Sequence, residues 1–346
     1  MFVEGTVLRG REFEPVEGRV VVRDGEIAAI EERETDSDDL ICPAFVNAHT
    51  HIGDSVAKEA GGGLSLDELV APPDGLKHRI LRATDRAEKV EAMARSLRYM
   101  EATGTGTFLE FREGGVAGVE ALRDALAGRD GAEAVGERDV DAVILGREEE
   151  AVLEVADGFG ASGARDAHFE SERTATREAD KLFGIHAGER DDLDINPAMD
   201  LKPDFLVHMV HAGEEHLDRI ADRATPVVVC PRSNLVTNVG MPPIRELAEH
   251  TTVALGTDNV MLNSPSMFRE MEFTAKLADV SAAEVLRMAT VNGAEIAGLN
   301  RGVIEEGADG KLLVLDGDSD NLAGARDPVR AVVRRAGEGD VKQVVL

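Results

Sequence analysis

The sequence predicts an α/β protein: a (β/α)8 barrel over residues 44–301 and a small β-sandwich-like domain built from both chain ends, 1–43 with 302–346. Three observations carry this. Apolar, strand-like runs alternate with helical patterns through the middle of the chain, the signature of a parallel sheet covered by helices. The two ends have strand texture but too little apolar sequence to bury a core alone, so they are expected to pair with one another. No G-x-G-x-x-G follows the first run, which argues against an open doubly wound sheet.

At the N-terminus, Val3 to Leu8, Gly18 to Val22 and Ile27 to Ile30 read as strands, with a hairpin turn at Arg23-Asp24-Gly25-Glu26. Asp-Gly between apolar runs is a hairpin signal because both turn residues must accept positive φ. An acidic loop, Glu31 to Asp39, leads to Leu40-Ile41-Cys42-Pro43. The eight barrel runs are Phe45 to His51, Gly106 to Phe111, Asp141 to Gly146, Gly158 to Ser162, Phe183 to His186, Phe205 to His208, Pro226 to Cys230 and Val253 to Thr257. Helices fit between them, for example Ala83 to Ala102, with Ala92, Leu97 and Met100 near one face, and Arg173 to Leu182. Ile52 to Lys77, with Gly61-Gly62-Gly63 and Pro72-Pro73, has the composition of a mobile loop. Strand texture returns in Lys311 to Gly317, Val329 to Val333 and Val341 to Leu346.

Lys plus Arg total 38 against 67 Asp plus Glu, a formal charge of −29. A nucleic-acid partner is therefore disfavoured, since phosphate contacts need a basic surface. No apolar run reaches the length of about 18 residues that a spanning helix needs, and the N-terminus lacks the basic-then-apolar order of a signal peptide. A cytoplasmic protein with no membrane partner is expected, and a homo-oligomer is compatible with everything above. Cys42 and Cys230 are the only cysteines, too few for a disulfide framework or a Cys-rich zinc site, and both should be reduced. Eight lysines against thirty arginines, few aromatics and the acidic excess resemble the composition of proteins from high-salt cytoplasms.

The candidate chemistry sits at strand ends, where barrel enzymes place it. His49 and His51 close the first run. Residues two apart on a strand face the same side, so both imidazoles can serve one ion. His186 ends the fifth run and Asp258 follows the eighth. Three histidines and a carboxylate converging from different strand ends make a site for one first-row divalent ion, with room for a water. Glu189, three residues past His186, is placed to carry protons between that water and a substrate. His208, at the end of the sixth run, is placed to orient the water or polarise the substrate. Glu110 and Arg112 end the second run, where they either read a polar ring edge or a carboxylate, or pair with each other at the rim. His211 is a weaker substrate-binding candidate, and His216 reads as a surface helix residue. His78, His168 and His250 suggest no role.

The ordered set His49-x-His51, His186-x-x-Glu189, His208, Cys230-Pro231-Arg232-Ser233-Asn234 and Thr257-Asp258 resembles the amidohydrolase superfamily, in its cytosine deaminase, chlorohydrolase and adenosylhomocysteine deaminase branch. The approach to the first strand, Pro43 to His51, and the return Gly307 to Asp316 resemble it too, so the likeness spans nearly the whole chain. It implies that His49, His51, His186 and Asp258 bind one divalent ion, zinc or else iron. It further implies that Asp258 takes a proton from the attacking water, Glu189 shuttles protons to ring nitrogen and leaving group, and His208 holds the water or substrate oxygen. Binuclear relatives need a bridging lysine from the fourth strand, and Gly158 to Ser162 has none nearby. The expected activity is hydrolytic deamination of a small amino-substituted N-heterocycle such as a purine or pyrimidine. Hydrolysis of a cyclic amide or a carbon–halogen bond is the alternative within enzymology, and a non-catalytic ligand-binding barrel the remote one. The chain lacks the tryptophan-bearing segment that relatives acting on larger nucleosides carry after the first strand.

Overall fold

The computed structural model describes residues 1–128 and 139–346. Its first three strands, β1 (Phe2–Arg9), β2 (Glu14–Arg23) and β3 (Glu26–Glu32), form an antiparallel meander. The β2–β3 turn has Asp24 at φ 52° and Gly25 at φ 83°, the doubly positive geometry that the Asp-Gly pair announces. Strand β4 (Leu40–Pro43) runs parallel to β1, pairing Thr6 with Leu40.

Among the described residues, nine short strands follow. They are β5 (Phe45–His51), β6 (Thr105–Arg112), β7 (Asp141–Gly146), β8 (Gly158–Ala161), β9 (Leu182–Ala187), β10 (Phe205–His208), β11 (Val227–Val229), β12 (Val253–Leu255) and β13 (Asp258–Asn259). All are parallel, in the order β12-β11-β10-β9-β8-β7-β6-β5-β13. The eighth predicted run, Val253 to Thr257, forms β12, which pairs with β11, and β13 just past its end pairs with β5, so the segment Val253–Asn259 brings the two edges of the curled sheet together. The break falls at Gly256, where a Cβ would come within 2.7 Å of the His49 side chain. Asn47 clamps the same seam, donating to Thr257 Oγ1 at 2.7 Å and accepting from the Thr257 amide at 2.9 Å.

The barrel strands are buried on both faces, as parallel strands covered by helices must be. Phe111 and Phe205 fill the interior with ring centroids 5.9 Å apart, and Gly160 makes room, since a Cβ there would meet Phe111 at 2.7 Å.

The chain returns through β14 (Leu312–Leu315), antiparallel to β4, and β15 (Val341–Val345). This completes a six-stranded sheet, β15-β14-β4-β1-β2-β3, from both chain ends. Val3, Val7, Val20, Ile41, Leu312 and Val345 share one buried cluster across it.

Three expectations are corrected. Val329 to Val333 lies in a helix, Pro328–Arg334, because Asp327 caps it by accepting from the Arg330 amide and proline opens it. The helix expected from Ala83 breaks before Arg86, where Asp85 caps a new helix, Arg86–Ala102. Ile52 to Lys77 carries ordered helical pieces between its turns rather than a loose loop: a 3-10 turn Ile52–Ala57, a helix Leu66–Val70 with a Ser65/Glu68 capping box, and the start of Leu76–Ala83. Buried anchors override its glycine and proline content, as Leu69 packs against Ala57 and Met261, and Lys77 is buried.

Candidate metal centre

The C-terminal ends of β5, β9, β10 and β13 converge on one point. His49 Nε2 lies 3.3 Å and His51 Nε2 3.6 Å from Asp258 Oδ1, and His51 Nε2 lies 3.3 Å from His186 Nε2. The other ring nitrogens explain this aim. His186 Nδ1 is held by the Ala161 carbonyl at 2.8 Å and His51 Nδ1 by the Phe111 carbonyl at 3.1 Å, which leaves each Nε2 lone pair facing inward. Ser233 donates to Asp258 Oδ2 at 2.5 Å, so Oδ1 is the oxygen turned to the histidines. The Phe111 ring forms the floor, edge-on to His49 at 4.7 Å.

His208 and Glu189 stand on the open side. Asn234 donates to His208 Nδ1 at 3.1 Å, so Nε2 carries the proton, 3.6 Å from Glu189 Oε2. Gly188, at φ 65° and with its amide bonded to Asp194 Oδ1 at 2.8 Å, makes the turn that swings Glu189 over the cavity. His208 and Asp258 themselves have φ of 78° and 56°, a left-handed backbone that costs energy for such residues and recurs at functional sites.

Burial sets the protonation states. It lowers the pKa of His49, brings His51 to about 3 with help from the Lys77 charge, and holds His186 well below the usual histidine range with help from His49. Asp258 is buried too, yet His49 Nε2 at 3.3 Å and the other histidines around it hold it well below the ordinary carboxylate value. Glu189 is shifted the other way: burial raises it, Asp258 and Asp194 add to the rise, and His208 opposes.

The residues fit a divalent ion. His49 is fully buried and neither ring nitrogen has a hydrogen-bond partner among the described residues, an expensive arrangement unless a cation takes a lone pair. Donor atoms of His49, His51 and Asp258 lie within 4.8 Å of one another, as do those of His49, His186 and His208 and those of Glu189, His208 and Asp258. Imidazole and carboxylate donors suit zinc or iron.

The cavity above has a volume of about 110 Å³ and is walled by Leu66, Val70, Pro72 and Leu262 among others. Pro72, His78, Arg147, Ser162 and Asp166 line both it and an adjoining side chamber of about 530 Å³. Arg112 lies on that chamber, buried, its Nε donating to the Gly118 carbonyl at 3.1 Å and its Nη1 3.8 Å from Glu113. Glu110 instead accepts from Thr50 and the Ile52 amide and pins the turn after β5, and burial raises its pKa to about 8. His211 is exposed and lies outside the cavity wall. His216 is buried rather than a surface residue, because its Nδ1 accepts from the Gly213 amide at 3.1 Å and caps the helix it sits on.

Sequence reasoning missed Lys77, Asp54, Glu113 and Arg147, a buried ionic group against His51. It also gave Ser233 and Asn234 no task. The one available signal for these two was their place in the Cys230-Pro231-Arg232-Ser233-Asn234 motif.

A curled parallel barrel with imidazole and carboxylate donors at its C-terminal mouth is the architecture of a metal-dependent barrel hydrolase. The chain belongs to the amidohydrolase family, whose model matches residues 40–346, and it is a hydrolase of carbon–nitrogen bonds other than peptide bonds. A Methanothermobacter thermautotrophicus protein classed as an aminohydrolase is 36% identical over 99% of this chain and 96% of its own length. A 5-methylthioadenosine/S-adenosylhomocysteine deaminase of Haloarcula marismortui is 29% identical over 89% of this chain and 80% of its own. An adenosine deaminase structure from Xanthomonas campestris with bound zinc superposes with a TM-score of 0.79 at 19% identity, over 100% of this chain and 91% of its own. Among the described residues no helix is long and apolar enough to cross a membrane.

Proposed function

We propose that the chain hydrolytically deaminates a small amino-substituted N-heterocycle, with one divalent ion, zinc by preference over iron, held by His49, His51, His186 and Asp258. The observation that carries this reading is that two carboxylates on the same cavity, Asp258 and Glu189, have ligand-type atoms within 4.8 Å of each other and of His208, with Asp258 shifted well below and Glu189 above the ordinary carboxylate value. Two carboxyls whose surroundings push their proton affinities apart are the pattern of a base and an acid at work together. When bound, the ion supplies Lewis-acid activation of the attacking water. Asp258, fixed by Ser233, accepts the proton that water gives up as its oxygen bonds to the ring carbon. Glu189 gives its proton to the adjacent ring nitrogen, the proton of the added hydroxyl then passes through Glu189 to the departing amine, which leaves as ammonia, and the proton held by Asp258 restores Glu189. His208 donates its Nε2 proton to the oxygen, in the tautomer that Asn234 sets. Leu66, Val70, Pro72 and Leu262 offer apolar surface to a flat ring.

Relatives named for purine nucleoside deamination put 6-aminopurine nucleosides first among substrates. A coupled ammonia assay over aminated purines and pyrimidines should show release of ammonia and formation of the oxo product. Turnover confined to imidazolones, hydantoins or chlorotriazines would reject the deaminase reading and leave the hydrolase standing. The sequence charge of −29 supports a high-salt setting for this chemistry, and a cytoplasmic one.

A further inference from the structure

On the far side of His51 the structure holds a second set of ligand-type atoms. His51, Asp54 and Glu113 are all buried, and one potential donor atom from each lies within 4.8 Å of the others. Between the two carboxylates stands the Lys77 ammonium, 2.8 Å from Asp54 Oδ2 and 2.7 Å from Glu113 Oε1. The same Glu113 oxygen meets His51 Nδ1 at 2.9 Å and Arg147 Nη1 at 2.7 Å. Asp54 Oδ1 and Glu113 Oε2 are buried with no hydrogen-bond partner among the described residues.

We propose that Lys77 is a built-in cation: its ammonium fills the place where Asp54 and Glu113 would otherwise gather a second divalent ion beside His51, whose Nδ1 stays bonded to Phe111 and Glu113 while Nε2 serves the first ion, and so keeps the centre at one ion. The inference rests on reading His49, His51, His186 and Asp258 as the first ion's site.

The physical case is one of charge and size. Two buried carboxylates require positive charge close by, because an uncompensated buried carboxylate is far costlier than a paired one. Arg147 reaches Glu113, but the ion pair to Asp54 comes from Lys77. A compact ammonium is the side chain that can sit between two carboxylate oxygens, whereas a guanidinium is a flat fork. In a chain with eight lysines and thirty arginines, a fully enclosed lysine at this point is the size-matched choice. An ammonium and a divalent ion cannot share the gap, since like charges a few ångströms apart in a buried site repel strongly. Lys77 also lies in the first turn of the helix Leu76–Ala83, so the ion pair that closes this gap fastens the segment after β5 to the barrel mouth.

The test is metal stoichiometry of the full chain after equilibration with buffered excess zinc, read by elemental analysis. The native chain should hold one zinc ion, Lys77→Ala two, and Lys77→Ala with Glu113→Gln one. Added n-propylammonium, which matches the removed side chain, should displace the second ion from Lys77→Ala. A folded Lys77→Ala chain that stays at one ion overturns the proposal, and so does a second ion that survives Glu113→Gln. If Lys77→Ala does not fold without metal, excess zinc should restore its near-ultraviolet circular dichroism with two ions bound, and a chain unfolded at every zinc concentration overturns the proposal. Two ions on the native chain would also overturn it. A native chain that binds no ion breaks the reading of the first site, a result distinct from any of these.

Discussion

Two buried carboxylates approach opposite nitrogens of one ring, Asp258 at 3.6 Å from His51 Nε2 and Glu113 at 2.9 Å from His51 Nδ1. Burial opposes ionisation of both, and both are nevertheless held well below the ordinary carboxylate range. The means differ. Asp258 has the His49 and His51 ring nitrogens and the Ser233 hydroxyl around it, so its side of His51 is lined by ligand atoms with no lysine or arginine ion-paired to it among the described residues. Glu113 is ringed by Lys77 and Arg147, so its side carries its cations within the chain. The same carboxylate group thus belongs to the candidate metal cluster or to a closed ionic group according to what packs around it.

The largest expected effect breaks the Asp258 side outright. His186→Ala or Asp258→Ala should lose bound metal and all measurable ammonia release, because each removes a donor from the cluster. A variant that kept both would show that the ion sits elsewhere.

Glu189→Gln should keep the ion and lose turnover by roughly 10² to 10⁴, the usual worth of a positioned acid–base group. Near-normal turnover would strip Glu189 of its role, and loss of metal would make it a ligand instead.

Asn234→Ala should lower turnover by about 10- to 100-fold with metal content unchanged, as expected when the partner of a site histidine is removed. The fall should appear in kcat more than in KM, since the tautomer of His208 matters most as charge develops. A change in KM alone would place Asn234 in substrate binding.

Zinc affinity should vary little between pH 6 and 8. The sign follows from the shifts: with His49 lowered, His51 brought to about 3 and His186 held well below the usual range, protons compete for the ring nitrogens only below the ordinary histidine value of about 6.5, and Asp258, shifted well below the ordinary carboxylate value, is ionised throughout. Histidines of ordinary pKa would make affinity climb with pH through that value. Competition with a chromophoric chelator across the range distinguishes the two, and a slope of a full decade per pH unit would break the account of a pre-deprotonated site.

The smallest effect concerns the whole surface. With a formal charge of −29, the melting temperature should rise as salt goes from dilute to molar, where the screening length falls to about 3 Å. Melts that are flat or fall with salt would remove the high-salt reading.

Much of this molecule was legible beforehand. All eight barrel runs are strands, and the Asp24-Gly25 hairpin forms as its composition requires, because strand runs and turn chemistry are local properties. His49, His51, His186, His208, Glu189 and Asp258 were legible as a group because a parallel barrel puts every strand's C-terminal end on one face. Val329–Val333 was misread since β-branched residues favour strands on average, while Asp327 and Pro328 decide locally for a helix. The order in Ile52–Lys77 was missed because glycine and proline describe the free chain and not the buried anchors that overrule it.

By itself, then, the sequence determined the alternation of strands and helices, the closing of the two ends into one sheet, and which side chains crowd the barrel mouth. Each follows from spacing along the chain. Only the tertiary structure decided the partners: that Ser233 turns Asp258, that Asn234 sets His208, that His216 caps its helix from within, and that Lys77 sits between Asp54 and Glu113. The physical reason is that the field at a buried group depends on atoms within a few ångströms, and packing delivers those from segments with no fixed relation in sequence.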